Sequence, residues 1–373
     1  MRVLQVLPAL ESGGVERGTV EFAAELVKRD HESFVLSAGG PMTALLDRQG
    51  SHHISLPVHR KSPASFRLIG PVRQLLRDLQ PDVVHVRSRM PAWITRLAWN
   101  GLPPQERPAL VSTFHGMYSV NPYSAIMAKA EHVIAVSNCV RDYVLQHYRV
   151  PPERLSVIQR GVDTASFRNH APSAEWSAAL YRDYPELAGK RLVLMPGRIS
   201  RWKGQLLFLD AMAEMTRRHR DLHGVIVGGV EPGKHRFLRE LEVHRSELGL
   251  DDKVTFLGQR SDMADLYSQA TLVCHMSTKP EPFGRTVTEA LAAGTPVVAF
   301  DRGGAAETLR ACFPEGLVTP DHIGEFTDKA MALAQRPHHH IELPERFRLE
   351  AQTEATLAVY RRVLESHRLG ADR

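Results

Sequence analysis

Glu281 and Glu289 lie eight positions apart in the run Lys279-Pro280-Glu281-Pro282-Phe283-Gly284-Arg285-Thr286-Val287-Thr288-Glu289, which continues as Ala290-Leu291-Ala292-Ala293-Gly294-Thr295-Pro296. Pro282 and Gly284 hold the first carboxylate in a loop. Residues 285–293 are good helix formers, and Gly294 ends them ahead of a strand at 295–300. Glu281 is therefore expected just before a helix N-terminus and Glu289 one to two turns inside it. A helix start offers unpaired N–H groups and the positive end of a dipole, which suits a phosphate. Carboxylates on either side accept hydrogen bonds from hydroxyls. A phosphate flanked by hydroxyl-bearing groups describes a nucleotide sugar. Two glutamates at this spacing also occur as plain solvated acids, so the reading needs a second constellation.

Met195-Pro196-Gly197-Arg198-Ile199-Ser200-Arg201-Trp202-Lys203-Gly204 supplies it. The run ends an apolar strand and opens a helix, and open α/β sheets bind ligands outside the carboxyl ends of their strands. Arg198 can fork onto two phosphate oxygens, while Lys203 brings a compact charge. Together they would neutralise a leaving diphosphate. Bare cations at a helix start oppose its dipole, so a merely structural role fits them poorly.

Positioning these residues calls for short apolar strands alternating with amphipathic helices. Runs at 3–7, 33–36, 83–86, 110–113 and 133–136 read as buried parallel strands, with helical patterns at 15–29, 66–79 and 139–148. After a last strand at 155–159 the order repeats at 192–195, 225–228, 254–257, 272–274 and 297–300. Two successive βα arrays predict two doubly wound Rossmann-like domains, 1–163 and 164–343, with a helical tail at 344–369. Gly13 and Gly14 fall between the first strand and helix; they permit close backbone approach to a ligand. His115 follows the strand at 110–113. Tyr118, Asn121 and Tyr123 follow in a loop that either contacts acceptor sugars or is simply polar. Ser137 is expected to cap the next helix. Three adjacent histidines, His338 to His340, read as surface.

The chain has 373 residues, enough for two cores, with 43% hydrophobic and 24% charged residues, as in globular proteins. Cys139, Cys274 and Cys312 are odd in number and widely spaced, which excludes a disulfide framework or zinc cluster and fits a reducing compartment. The first apolar run is too short for a signal or a span. The net charge of +5 belongs to the N-terminal half. Between His59 and Arg107 stand Arg60, Lys61, Arg67, Arg73, Arg77, Arg87, Arg89, Arg96 and Arg107 against Asp78, Asp82 and Glu106. That excess predicts an anionic partner, a membrane headgroup or phosphorylated acceptor; nucleic acid ranks last, since no recognition pattern accompanies the charge. No Asp-x-Asp occurs, so no metal site is expected.

The Glu-x7-Glu run with its Ala-rich helix and Gly-Thr-Pro-Val resembles the signature of retaining glycosyltransferases of the GT-B fold, family 4. The resemblance implies two Rossmann-like domains with a cleft between them and a tail helix returning to the N-terminal, acceptor domain. It places the donor on Gly13, Gly14, Gly197, Arg198, Lys203, the 258–260 loop (Gly258, Gln259, Arg260), Glu281, Pro282, Phe283, Gly284 and Glu289. Glu281 would hold the sugar hydroxyls, Glu289 the ribose, and His115 the donor sugar. The 258–260 loop would receive the base through its backbone, which hides the base's identity; UDP is the leading expectation. Glu281, Arg198, Lys203 and His115 form the expected catalytic set, working without a metal or other cofactor. Residues 12–21, 37–41, 87–93 and 114–124 further resemble lipopolysaccharide-core members, implying a glycan or lipid-linked acceptor met by Arg87, Arg89, Tyr118, Asn121 and Tyr123. A cytoplasmic enzyme resting on the inner face of the membrane follows. The rival readings are a GT-B epimerase or phosphorylase, and a non-catalytic sugar-nucleotide-binding protein.

Overall fold

The computed structural model describes residues 1–11, 13–231, 233–336 and 341–371. They group into two compact units, Met1–Gly161 with Leu349–Arg373, and Val162–Arg348. His338, His339 and His340 lie outside the described residues, as does Ser12.

The first unit carries β1 (Arg2–Val6), β2 (Glu32–Ser37), β3 (His52–Ser55), β4 (Val83–Val86), β5 (Ala109–Phe114), β6 (His132–Ala135) and β7 (Leu155–Val157). Among the described residues they form one sheet in the order β3-β2-β1-β4-β5-β6-β7, every pairing parallel. The second carries β8 (Arg191–Pro196), β9 (Leu222–Val227), β10 (Val254–Gly258), β11 (Ala270–His275), β12 (Val297–Phe300) and β13 (Leu317–Val318), again all parallel, in the order β10-β9-β8-β11-β12-β13. Each is a doubly wound sheet, as the alternating pattern predicts. Winding reverses between β1 and β4 in one unit and between β8 and β11 in the other. Ligands in such sheets sit outside the carboxyl ends of the strands at that reversal.

β3 and β13 have no counterpart in the sequence reading. β3 is an edge strand reading His-His-Ile-Ser, and β13 is two residues long, so neither leaves an apolar run. The tail helix Leu349–Ala371 belongs to the first unit. Its Leu357, Tyr360 and Val363 join Val3, Phe22 and Val111 in that unit's buried core.

The basic segment at 59–107 is less of a surface than its composition predicts. Arg87 is 5% exposed at the end of β4. Arg96 and Arg107 each lie 4.6 Å over the Trp99 ring, and Arg107 also donates to the carbonyls of Leu102 and Asn100. Arg77 faces Glu106 at 3.6 Å. Stacking on an aromatic face and donating to carbonyls draw these guanidinium groups inward. Exposed charge persists at Arg60, Lys61 and Arg67, beside an exposed Phe66.

Burial lowers His85 well below the ordinary histidine value and brings His132 and His223 down to about 4. In the unfolded chain each takes its proton near 6.5. The unfolded state thus binds more protons below that point, and stability falls as pH drops from 6.5 toward 4. Each such group withdraws up to about 1.4 kcal/mol per pH unit. Urea unfolding at pH 7 and pH 5 should show a lower midpoint at pH 5, with a shallower difference in His132→Gln and His223→Gln. An identical midpoint at both pH values would contradict this.

Candidate functional site

In the second unit, β8 and β11 run side by side, so the segments leaving their carboxyl ends emerge together. After β8 come Gly197 and Arg198, a single 3₁₀ turn at Arg201–Lys203, and the helix Gln205–Arg218. After β11 come Ser277, the loop bearing Glu281, and the helix Arg285–Ala292, entered through Gly284 at φ 83°. Lys203 Nζ and Ser277 Oγ each donate to Glu281 Oε1 at 2.5 Å. His275 Nε2 sits 2.9 Å from the same oxygen, off the line of a hydrogen bond. Glu281 is 7% exposed. Burial alone would raise its pKa, but His275 and Lys203 outweigh that and hold the carboxyl well below the usual carboxylate range. The site therefore keeps a charged, water-poor acceptor at its centre.

The loop is fixed from beneath. Gly304 N–H donates to the Glu281 carbonyl at 2.8 Å. A Cβ at Gly303 would meet the Glu281 backbone at 2.6 Å, and one at Gly304 the Pro282 carbonyl at 2.4 Å. Only glycines allow that approach. Phe283 is buried with its ring 6.4 Å from that of Phe347.

Glu289 is also buried, inside the Arg285–Ala292 helix. Arg285 Nε donates to its Oε1 at 2.7 Å and the Tyr267 hydroxyl to its Oε2 at 3.2 Å. A carboxylate has further lone pairs, so an arriving hydroxyl would add to this pattern or displace the longer bond. Arg198 is exposed and ion-paired with Glu231, which Lys234 also reaches. Gly258 ends β10 at φ 66°; Gln259 Oε1 accepts from Gly229 N–H at 3.1 Å, and Arg260 pairs with Asp262.

In the first unit Gly13 caps and Gly14 opens the helix Gly14–Lys28. Arg160 donates to the Gly14 carbonyl and lies across Gly18 of the same helix. At the strand ends a buried chain runs from Tyr360 Oη to His85 Nδ1 at 2.6 Å, and from His85 Nε2 to Thr113 Oγ1 at 2.6 Å. Arg87 stacks 5.5 Å over Phe22 and His115 follows β5. His115's ring nitrogens are buried with no hydrogen bond among the described residues, and its pKa is driven well below the ordinary value by burial and by nearby Arg160 and Arg87. Arg89 lies over Tyr118 at 4.8 Å and Tyr123 at 5.4 Å. Asn121 is exposed, its Oδ1 accepting from Ser124 N–H at 2.8 Å. Ser137 Oγ caps its helix as expected, accepting from Val140 N–H.

His275, Ser277, His85, Arg160 and Tyr360 are the polar residues that sequence reasoning missed. His275 directly follows a predicted strand, in the place where ligands gather, and His85 interrupts an otherwise all-valine run; both were visible signals. Tyr360 gives none, because its partner lies 275 positions away. Among the described residues no cluster of three or more His, Cys, Asp or Glu could hold a metal ion, and no helix is long and apolar enough to cross a membrane.

Residues 12–166 match the family model described as Glycosyltransferase Family 4, and residues 180–354 the model described as Glycosyl transferases group 1. A lipopolysaccharide core biosynthesis mannosyltransferase, LpcC of Rhizobium leguminosarum, is 33% identical over 222 residues, 57% of this chain and 61% of the relative. The chain thus spans about three fifths of that protein's length. A glycosyltransferase structure from Rickettsia africae superposes with a TM-score of 0.82 at 29% identity, over 97% of this chain and 98% of the other. Anabaena HepE, solved with UDP and glucose, has the same fold at a TM-score of 0.77 and 24% identity, over 96% of this chain and 98% of its own.

Lys203 and Arg198 should separate by stability. The Lys203 and Glu281 side chains are 16% and 9% exposed, so Lys203→Met strands a buried carboxylate and should cost about 3 kcal/mol. Arg198→Ala removes a cation 61% exposed and should leave the unfolding midpoint nearly unchanged. Pairing Lys203→Met with Glu281→Gln should recover part of the loss. Equal midpoints for the two single variants would rule out a structural ion pair at Lys203.

Proposed function

We propose, for a chain that belongs to the family 4 and group 1 glycosyltransferases, that it moves a sugar from a nucleoside-diphosphate sugar to a hydroxyl of a glycan or glycolipid, with retention of configuration and without a metal. The observation that carries this reading is the Glu281 carboxylate, kept charged by Lys203, His275 and Ser277 at the winding reversal of the second sheet. A buried acceptor of that kind suits sugar hydroxyls, and the lysine beside it suits the diphosphate.

Donor binding would draw Lys203 between Glu281 and the β-phosphate, with Arg198 leaving Glu231 to join it. As the bond from the anomeric carbon to the diphosphate oxygen breaks, its electron pair goes to the leaving phosphate, and these cations meet the charge where it grows. The acceptor hydroxyl attacks on the same face and gives its proton to that phosphate. Glu281 then holds the sugar while Glu289 takes the ribose hydroxyls. The backbone at Gly258, Gln259 and Arg260 receives the base, for which uridine is the first to try. Gly13, Gly14 and His115 would complete the donor site; Arg87, Arg89, Tyr118, Asn121 and Tyr123 would face the acceptor. Lipopolysaccharide core or a related envelope glycan is the acceptor class the reading favours. Phe66 with Arg60, Lys61 and Arg67 would rest on the anionic inner face of the cytoplasmic membrane.

Sugar transfer from a panel of nucleotide sugars tests the whole. Glu281→Gln should nearly abolish transfer while leaving UDP affinity within a few fold. Glu289→Gln should weaken UDP as well, since a charged hydrogen-bond acceptor is worth about 1.5–3 kcal/mol. Equal loss of UDP affinity in both would reverse the assigned roles. Activity should survive excess chelator; a divalent-ion requirement would overturn the metal-free route. Cosedimentation with anionic vesicles should exceed that with neutral ones and fall with salt, as charges are screened over about 8 Å at physiological ionic strength. Charge reversal at Arg60, Lys61 and Arg67 that left the anionic preference intact would remove the membrane contact.

A further inference from the structure

At the carboxyl ends of β4 to β7, the first unit holds a recess lined by Gly18, His85, Arg87, Thr113, His115 and Arg160 with a few apolar, amide and hydroxyl neighbours, and no carboxylate. Its volume of about 20 Å³ admits one oxygen-sized group, not a sugar ring. Arg87 is 5% exposed and its Nε makes no hydrogen bond among the described residues. Burial lowers its pKa to about 10, which still leaves it charged at neutral pH. A buried cation with a donor unmet is costly unless something answers it. The neutral His115 ring adds an N–H donor without adding charge. The Tyr360–His85–Thr113 chain fixes the Thr113 hydroxyl at the recess wall. Arg160 can lie here only because residue 18 has no side chain: a Cβ there would come within 2.5 Å of Nη2.

We propose that this recess takes an oxyanion carried by the acceptor, a carboxylate or phosphate whose terminal oxygen enters between Arg87, Arg160, His115 and Thr113, so that His115 meets the acceptor rather than the donor sugar. The acceptor is then an acidic sugar or sugar phosphate, not a neutral one. A water molecule fills the same volume but brings no charge to offset Arg87. The inference rests on the reading that the chain transfers sugar, and it assigns the anion to the acceptor because Arg198 and Lys203 already serve the donor diphosphate in that reading.

The test titrates glucuronate, glucose 6-phosphate and methyl glucoside into the full chain, with and without saturating UDP, following ligand signals by NMR. At least one acid should bind at least tenfold more tightly than methyl glucoside, with UDP present or absent, and which acid wins separates carboxylate from phosphate. Arg87→Met should erase that preference. Gly18→Ala guards against a folding defect in the first variant. Its methyl displaces only the flexible Arg160 tip within a helix that tolerates alanine, and it should weaken the acid at least tenfold while UDP affinity holds. Methyl glucoside binding as well as both acids, or an acid preference that survives both substitutions, would overturn the proposal and leave an ordered water only. Failure of UDP to bind the unaltered chain would strike at the donor reading instead, and the acid preference is measured independently of it.

Discussion

A carboxylate 7% exposed keeps its charge only where a cation and polar partners are held against it, and the second unit is arranged to hold them there. Lys203 arrives from the segment after β8, His275 from the end of β11, and both converge because those strands are neighbours at the reversal of winding. Gly303 and Gly304 let the loop that carries Glu281 settle onto the next helix. Remove the pairing and the loop has a buried charge with nothing to balance it. Its geometry and its electrostatics are therefore one constraint, and an anionic ligand must compete for the same lysine.

The first unit poses the opposite problem. Its strand ends gather Arg87 and Arg160 around a neutral His115, with helix Gly14–Lys28 adding the positive end of its dipole. Aromatic stacking on Phe22 and a bond to the Gly14 carbonyl offset part of this. The two sheets share a winding order yet have opposite electrostatic demands beyond their strand ends: one supplies an anion with its cation, the other supplies cations alone.

Strand periodicity was legible because parallel strands buried on both faces leave unbroken apolar runs, as residues 192–195 and Val297–Phe300 do. The helix after Gly284 was legible from its own composition. Pairings were not. Lys203 and Glu281 are 78 positions apart, and nothing local to either names the other. Composition misled at Arg96 and Arg107, because a count of charges cannot see the indole of Trp99 beneath them. His275 and Arg160 stand at strand ends that the pattern had located. They were overlooked because a single polar residue after an apolar run is ordinary until its neighbours in space are known.

Tyr360 closes the hydrogen-bonded chain through His85 from a helix made after both sheets, and its neighbours Leu357 and Val363 fill the same core. The strands they cover, β1, β4, β5 and β6, are synthesised before that helix. Residues 162–348 are made in between. At roughly 5–20 residues per second, that interval leaves the earliest sheet without its final apolar cover for about ten to forty seconds. The order of synthesis thus leaves Val3, Phe22 and Val111 without their final cover for as long as the second unit takes to appear, a delay that a sheet with a local lid does not meet.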